Sequence, residues 1–167
     1  MLHTIISIFL SIFILIVCYT DIRYKKIYNW TTLSFFISAM ALHGWFGSFH
    51  GIFDALLGAF LGLGLLILPF VWGWVGGGDV KFLATSGAFV GTSIVMHGTL
   101  YGLILFGLVA LIVLALQGKL KYVFRNIGFA LLYRNFSTIS PTGSLPLGVF
   151  LGIGILLRWY CSLFLPG

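Results

Sequence analysis

Acidic residues are scarce in this chain. Its 167 residues hold three aspartates, Asp21, Asp54 and Asp79, and no glutamate. One of the three sits in the stretch Gly76-Gly77-Gly78-Asp79-Val80-Lys81, which sets a carboxylate and an ammonium between two long apolar runs. An ionisable side chain at the end of a membrane-embedded helix is costly to keep and marks a functional site by default. Three successive glycines make poor helix interior. They let the backbone come close to something and leave Asp79 in the first turn of the next helix, where free N–H groups and the helix dipole favour a carboxylate. Two readings follow: a residue that only starts a helix, or one half of a pair of aspartates that moves protons.

Composition fixes the solvent in which this chemistry would occur. The chain is 60% hydrophobic and 7% charged, with mean hydropathy +1.15, whereas a soluble domain is roughly 25% charged. So few charges cannot make a solvated surface, so lipid surrounds most of the chain. The expected architecture is all-α: a polytopic membrane bundle of about six transmembrane helices, forming one domain over residues 1–167. Cys18 and Cys161 lie far apart in apolar runs without a CxxC pattern, which predicts buried free thiols.

The first apolar run covers roughly 4–20 and has the basic cluster Arg23, Lys25 and Lys26 after it, not before it. By the positive-inside rule that cluster is cytoplasmic and the N-terminus faces out. A second run covers roughly 30–47 and ends in a loop around Gly47, His50 and Gly51. A third covers roughly 52–75, with Trp72 and Trp74 as interfacial anchors. From Val80 to Leu116 the chain is predominantly apolar. One helix of that length would reach about 55 Å, against a hydrocarbon core of about 30 Å. The run must break, at Gly91-Thr92-Ser93 or His97-Gly98, giving a fourth and a fifth helix.

Residues 117–144 carry Lys119, Lys121, Arg125 and Arg134 among apolar residues at helical spacing, which predicts a basic amphipathic helix on the cytoplasmic interface, bound to anionic lipid. A sixth span covers roughly 145–165, with Arg158, Trp159 and Tyr160 near its outer end. The pairs Gly58/Gly62, Gly87/Gly91, Gly98/Gly102 and Gly148/Gly152 are spaced for close helix packing within the bundle or for dimerisation.

This topology sorts the acids. Asp21 ends the first helix and Asp79 begins the fourth, at the same cytoplasmic end. Asp54 starts the third helix at the opposite face, on the order of 30 Å away, where it reads as a dipole-stabilised helix start. Asp21 could also merely pair with Arg23 or Lys25. Facing carboxylates cannot both ionise cheaply, so they share a proton near neutrality. That state suits peptide hydrolysis: the ionised acid takes a proton from water while the protonated one polarises the scissile carbonyl. Asp79, held by a helix N-terminus, takes the base role in this reading, although the roles belong to the pair. His3, His43, His50 and His97 are scattered and suggest no metal site.

The segment Thr20-Asp21-Ile22-Arg23-Tyr24-Lys25-Lys26-Ile27-Tyr28-Asn29 resembles the first aspartate motif of type IV prepilin peptidases, roughly Asp, a basic residue, then Ile-Pro-Asn, with Tyr28 in place of the usual proline. Gly76-Gly77-Gly78-Asp79-Val80-Lys81 is similar to the family's Gly-x-Gly-Asp-x-Lys motif, with Gly76, Gly78 and Lys81 as its supporting residues. Pro141-Thr142-Gly143 and Leu145-Pro146-Leu147-Gly148 resemble its late Pro-Gly segment. The resemblance implies an aspartic endopeptidase of the bacterial inner membrane, with Asp21 and Asp79 catalytic. It further implies prepilin-like protein substrates cut at the cytoplasmic face, no cofactor or metal, and no nucleic-acid partner. Lacking CxxC pairs, the chain looks like the short form, without the cysteine domain and N-methyltransferase activity of longer members. The competing readings are a proton-coupled transporter or channel subunit using Asp79 and Lys81 as a relay, a presenilin-like intramembrane protease, and a catalytically silent assembly factor. No internal repeat favours the transporter, and the Pro-Ala-Leu motif of presenilin-like proteases is absent.

Overall fold

The computed structural model describes residues 2–46, 48–118 and 146–164. Among these residues the chain forms five helices: α1 (Leu2–Tyr24), α2 (Asn29–Phe46), α3 (Ser48–Val71), α4 (Gly77–Leu116) and α5 (Leu147–Phe164). Four of them, α1, α3, α4 and α5, are long and apolar enough to cross a membrane. The fifth, α2, has 18 residues and spends several on Asn29, Thr31, Thr32 and His43. The bundle is thus all-α, and large apolar side chains such as Leu15, Phe60, Val71 and Ile104 point outward, as lipid-facing residues do.

Local sequence explains where the helices stop. At the end of α1, Lys25 takes a left-handed conformation (φ 50) and its N–H donates to the carbonyl of Asp21 at 3.0 Å, closing the last turn. At the end of α3, Gly73 takes φ 75 and its N–H donates to Phe70 at 2.9 Å, while the N–H of Trp74 donates to Pro69 at 2.9 Å. This Schellman closure stops the helix just before the glycine triplet. The N-cap of α4 is Gly76, in extended conformation (φ −72, ψ 147).

The break expected in the long apolar run falls at Gly91, whose φ 77 and ψ 178 lie where essentially only glycine goes. It divides α4 into arms over 77–90 and 92–116. Neighbours give the direction of each. A Cβ at Gly58 would meet the Gly87 carbonyl, and one at Gly62 the Leu83 carbonyl, so α3 runs antiparallel to the first arm. A Cβ at Gly98 would lie 2.8 Å from the Ile155 Cα, and one at Gly102 2.8 Å from the Leu151 Cα, so the second arm runs antiparallel to α5. Gly148 and Gly152 face Asp79 and Phe82, so α5 is parallel to the first arm. The two arms therefore head in opposite senses. The small residues at these crossings serve backbone contact inside the chain.

Phe13 of α1 packs on Phe35 of α2 (ring centroids 5.0 Å apart) and on Phe82 of α4 (5.4 Å). This aromatic centre joins the three helices that carry the sequence motifs.

Several boundaries differ from the sequence reading. His50 and Gly51 belong to α3, not to a loop. A Cβ at Gly51 would stand 3.0 Å from the His43 carbonyl, so this glycine serves the tight approach of α2 and α3. Asp54 is consequently not a helix start but lies beyond the first turn of α3. Trp72 and Trp74 follow α3 instead of ending it. Both cysteines are free, but only Cys18 is half-buried, and Cys161 is exposed. The expected basic helix over 117–144 lies almost wholly outside the described residues.

Candidate active site

Asp21 sits one turn before the end of α1, fixed by the αL closure at Lys25, whose N–H donates to the Asp21 carbonyl. Its side chain is buried, with 8% exposure. The backbone N–H groups of Gly148 and Val149, in the first turn of α5, donate to its carboxyl, and Lys25 lies within electrostatic reach. Such N–H groups have no partner inside their own helix and suit an anion.

Asp79 occupies the third position of α4 and is half-buried. Its carboxyl reaches back to accept from the N–H of Gly76, the N-cap residue. A capping box makes the same reach. Asp79 thus fulfils the helix-starting role, and this does not exclude the catalytic one.

The two carboxyls converge. The point that a Cβ on Gly148 would occupy is 2.9 Å from Asp21 Oδ2 and 3.3 Å from Asp79 Oδ1, so the two oxygens are no more than about 6 Å apart. Ile27, from the connector between α1 and α2, forms an apolar wall beside them: its Cδ1 is 3.3 Å from the same point, and its Cβ is 3.0 Å from a Cβ placed on Gly78. Four pieces of chain therefore meet here: the end of α1, the connector after it, the start of α4 and the start of α5.

The motif residues have distinct positions. Gly76 and Gly78 hold the backbone of the α4 start against Asp79 and Ile27. Lys81 is exposed, and its Nζ donates to Asn29 Oδ1 at 2.9 Å, tying the start of α2 to that of α4. Asp54 is exposed near the start of α3, close to the α2 end, and is not brought to the pair. His43 Nε2 contacts the Phe89 carbonyl at 3.2 Å and His97 Nδ1 the Ser93 carbonyl at 2.7 Å, both away from the aspartates. No group of three His, Cys or Asp side chains among the described residues could hold a metal.

Sequence reasoning missed the start of α5 as part of this site. It treated Gly148 as a packing glycine and as part of a Pro-Gly segment. The available signal was Pro146 just before an apolar helix, which marks a helix N-terminus and hence a place for a carboxylate. It also gave Asn29 no partner.

Among known families, the type IV leader peptidase family matches residues 8–116. That span contains Asp21, Asn29, Gly76, Gly78, Asp79 and Lys81. No curated protein and no solved structure matches the chain.

Proposed function

We propose that this chain, which belongs to the type IV leader peptidase family, is an aspartic endopeptidase that uses Asp21 and Asp79 to remove the basic leader of prepilin-like proteins. The observation that carries the reading is the approach of both carboxyls to one point beside Gly148. In the reaction the pair holds one proton between two carboxyls. The ionised carboxylate takes a proton from water as the water oxygen bonds to the scissile carbonyl carbon, and the protonated carboxyl gives its proton to the carbonyl oxygen. As the tetrahedral intermediate collapses, the C–N bond breaks and a proton passes to the leaving nitrogen. The products are one new carboxyl and one new amine, and the pair again holds one proton. The roles of base and acid belong to the pair.

In this reading the chain crosses the bacterial inner membrane six times, through α1, α2, α3, the two arms of α4, and α5, with its N-terminus outside. The opposite senses of the two α4 arms support the count. Arg23, Lys25, Lys26 and Lys81 lie at the aspartate end and favour a cytoplasmic site. The two acids meet at helix ends and are not strung through the bundle as a relay would be, which favours a peptidase over a proton-coupled transporter. Lipid surrounds the exposed apolar faces. The deciding experiment is cleavage of a prepilin-like protein, bearing a basic leader before its hydrophobic helix, by purified protein in liposomes. A shortened product with a new N-terminus at the leader junction is expected, and an unprocessed substrate with correctly folded enzyme would refute the proposal.

A further inference from the structure

We propose that Gly148 is a positioning residue of the reaction: its missing side chain leaves the two carboxyls free to converge in their working arrangement. This inference rests on the aspartic-peptidase reading above. Three observations carry it. A Cβ on Gly148 would stand 2.9 Å from Asp21 Oδ2 and 3.3 Å from Asp79 Oδ1, closer than a carbon comfortably approaches an oxygen, so a side chain there would press on both carboxyls. Asp21 is more than nine-tenths buried, and its Oδ2 has no hydrogen-bond partner among the described protein groups. A buried carboxyl oxygen left unpaired is costly, and a partner that arrives with the reaction, the shared proton or a substrate oxygen, removes that cost. Third, Ile27 Cδ1 stands 3.3 Å from the same point, so an added methyl would be hemmed in on its third side and could be relieved only by moving the carboxyls or α5.

Gly152, one turn further along the same face of α5, provides the contrast. Its Cβ would meet Ile14 Cγ2 at 2.7 Å, Cys18 Sγ at 3.6 Å and Phe82 Cζ at 3.7 Å, all apolar or weakly polar side-chain atoms. Both glycines let α5 approach α1 and α4, but only at Gly148 would an added methyl group stand against the reacting oxygens.

The test compares Gly148→Ala with Gly152→Ala in the liposome cleavage assay. Gly148→Ala should lower kcat by about 10²-fold or more, the size of a displaced acid–base step, with KM within about threefold because the substrate still docks. Gly152→Ala should lower the thermal midpoint yet keep kcat within about threefold. A kcat for Gly148→Ala within tenfold of the parent overturns the inference, as does an equal loss of kcat in both variants. A prepilin peptide with a hydroxyethylene group at the scissile bond gives a readout independent of that variant's folding. In the structure of the unmutated enzyme with this peptide, the hydroxyl should lie over Gly148 within hydrogen-bond reach of both aspartates. A hydroxyl placed elsewhere, or no binding to the unmutated enzyme, counts against the inference. If Asp21→Asn and Asp79→Asn are inactive while Gly148→Ala is active, the inference alone fails. If the aspartate variants cleave normally, the peptidase reading fails with it.

Discussion

Asp21 and Asp79 reach the same point by different local means. Asp21 is presented by the last turn of α1 and accepts N–H groups from another helix, whereas Asp79 is presented by the first turn of α4 and accepts from its own N-cap residue. In the proposed reaction, replacing either with asparagine keeps the shape but removes the shared proton. Asp21→Asn and Asp79→Asn should each lower cleavage by at least ~10²–10⁴-fold, and the double variant should be little worse than either single one, because the pair acts as a unit. Asp54→Asn, an exposed position on α3 apart from the pair, should retain most activity; loss of activity in that folded variant would mean that the wrong acids have been paired. The bond from Lys81 Nζ to Asn29 Oδ1 makes a separate prediction. Asn29→Ala and Lys81→Met each break the same contact between the starts of α2 and α4. Thermal unfolding of the two single variants and their double should therefore give a coupling of about 0.5–3 kcal/mol, and additive losses would mean that the contact contributes nothing.

The helices depend on glycine in two different ways. At Gly91 the requirement is the backbone: φ 77 and ψ 178 turn the chain between the arms of α4, and a Cβ there would meet nothing within 4 Å. Gly91→Ala should therefore lower stability by about 1–3 kcal/mol through backbone strain alone. Gly64→Ala, at a helical position of α3 that is equally open, should instead be neutral or stabilising, by up to about 1 kcal/mol. Thermal midpoints in one detergent compare the two, and equal shifts would contradict the distinction. At Gly58 and Gly87 the requirement is space, because each would drive a Cβ into the other's carbonyl. These two uses mark what was legible in the sequence. The break near Gly91 could be foreseen because an unbroken helix over that run is longer than a bilayer is thick. The α2–α3 junction could not, since Gly47, His50 and Gly51 together read locally as a loop. Only the nearby His43 carbonyl reveals that Gly51 permits close packing within a helix pair. The aspartate motifs were legible because their glycines and charges interrupt apolar runs. The place of Gly148 beside them was not, because it depends on a helix far along the chain docking its N-terminus on the end of α1.

Directions taken from residue contacts give the whole molecule one polarity. α1 descends to Asp21, α2 rises from Asn29 to His43, and α3 descends from Gly51 toward Phe70. The first arm of α4 rises from Asp79, the second descends past Gly98 and Gly102, and α5 rises from Gly148 to Trp159, whose Nε1 donates to Ser7 Oγ near the start of α1 at 2.8 Å. Asp21, Lys25, Asn29, Asp79 and Lys81 share one end, and the second arm of α4 runs on toward that side, past Phe106 beside Phe150, to Gln117. His3, His43, His50, Asp54 and Arg158 lie toward the other. By the positive-inside rule, the basic residues at the aspartate end would place that end in the cytoplasm, as the proposed function requires. The prediction is that Lys25→Cys and Gln117→Cys, each in a background lacking Cys18 and Cys161, react with a membrane-impermeant maleimide only after the membrane is opened, whereas His50→Cys reacts in intact cells. Cleavage activity retained in each variant would show that the labelled fold is the working one. Labelling of Lys25→Cys from outside would invert the molecule and place the aspartates on the wrong side for a cytoplasmic leader. Labelling of Gln117→Cys and Lys25→Cys from opposite sides would mean that the second arm of α4 does not return to the aspartate end, and the six-crossing arrangement would fall with it.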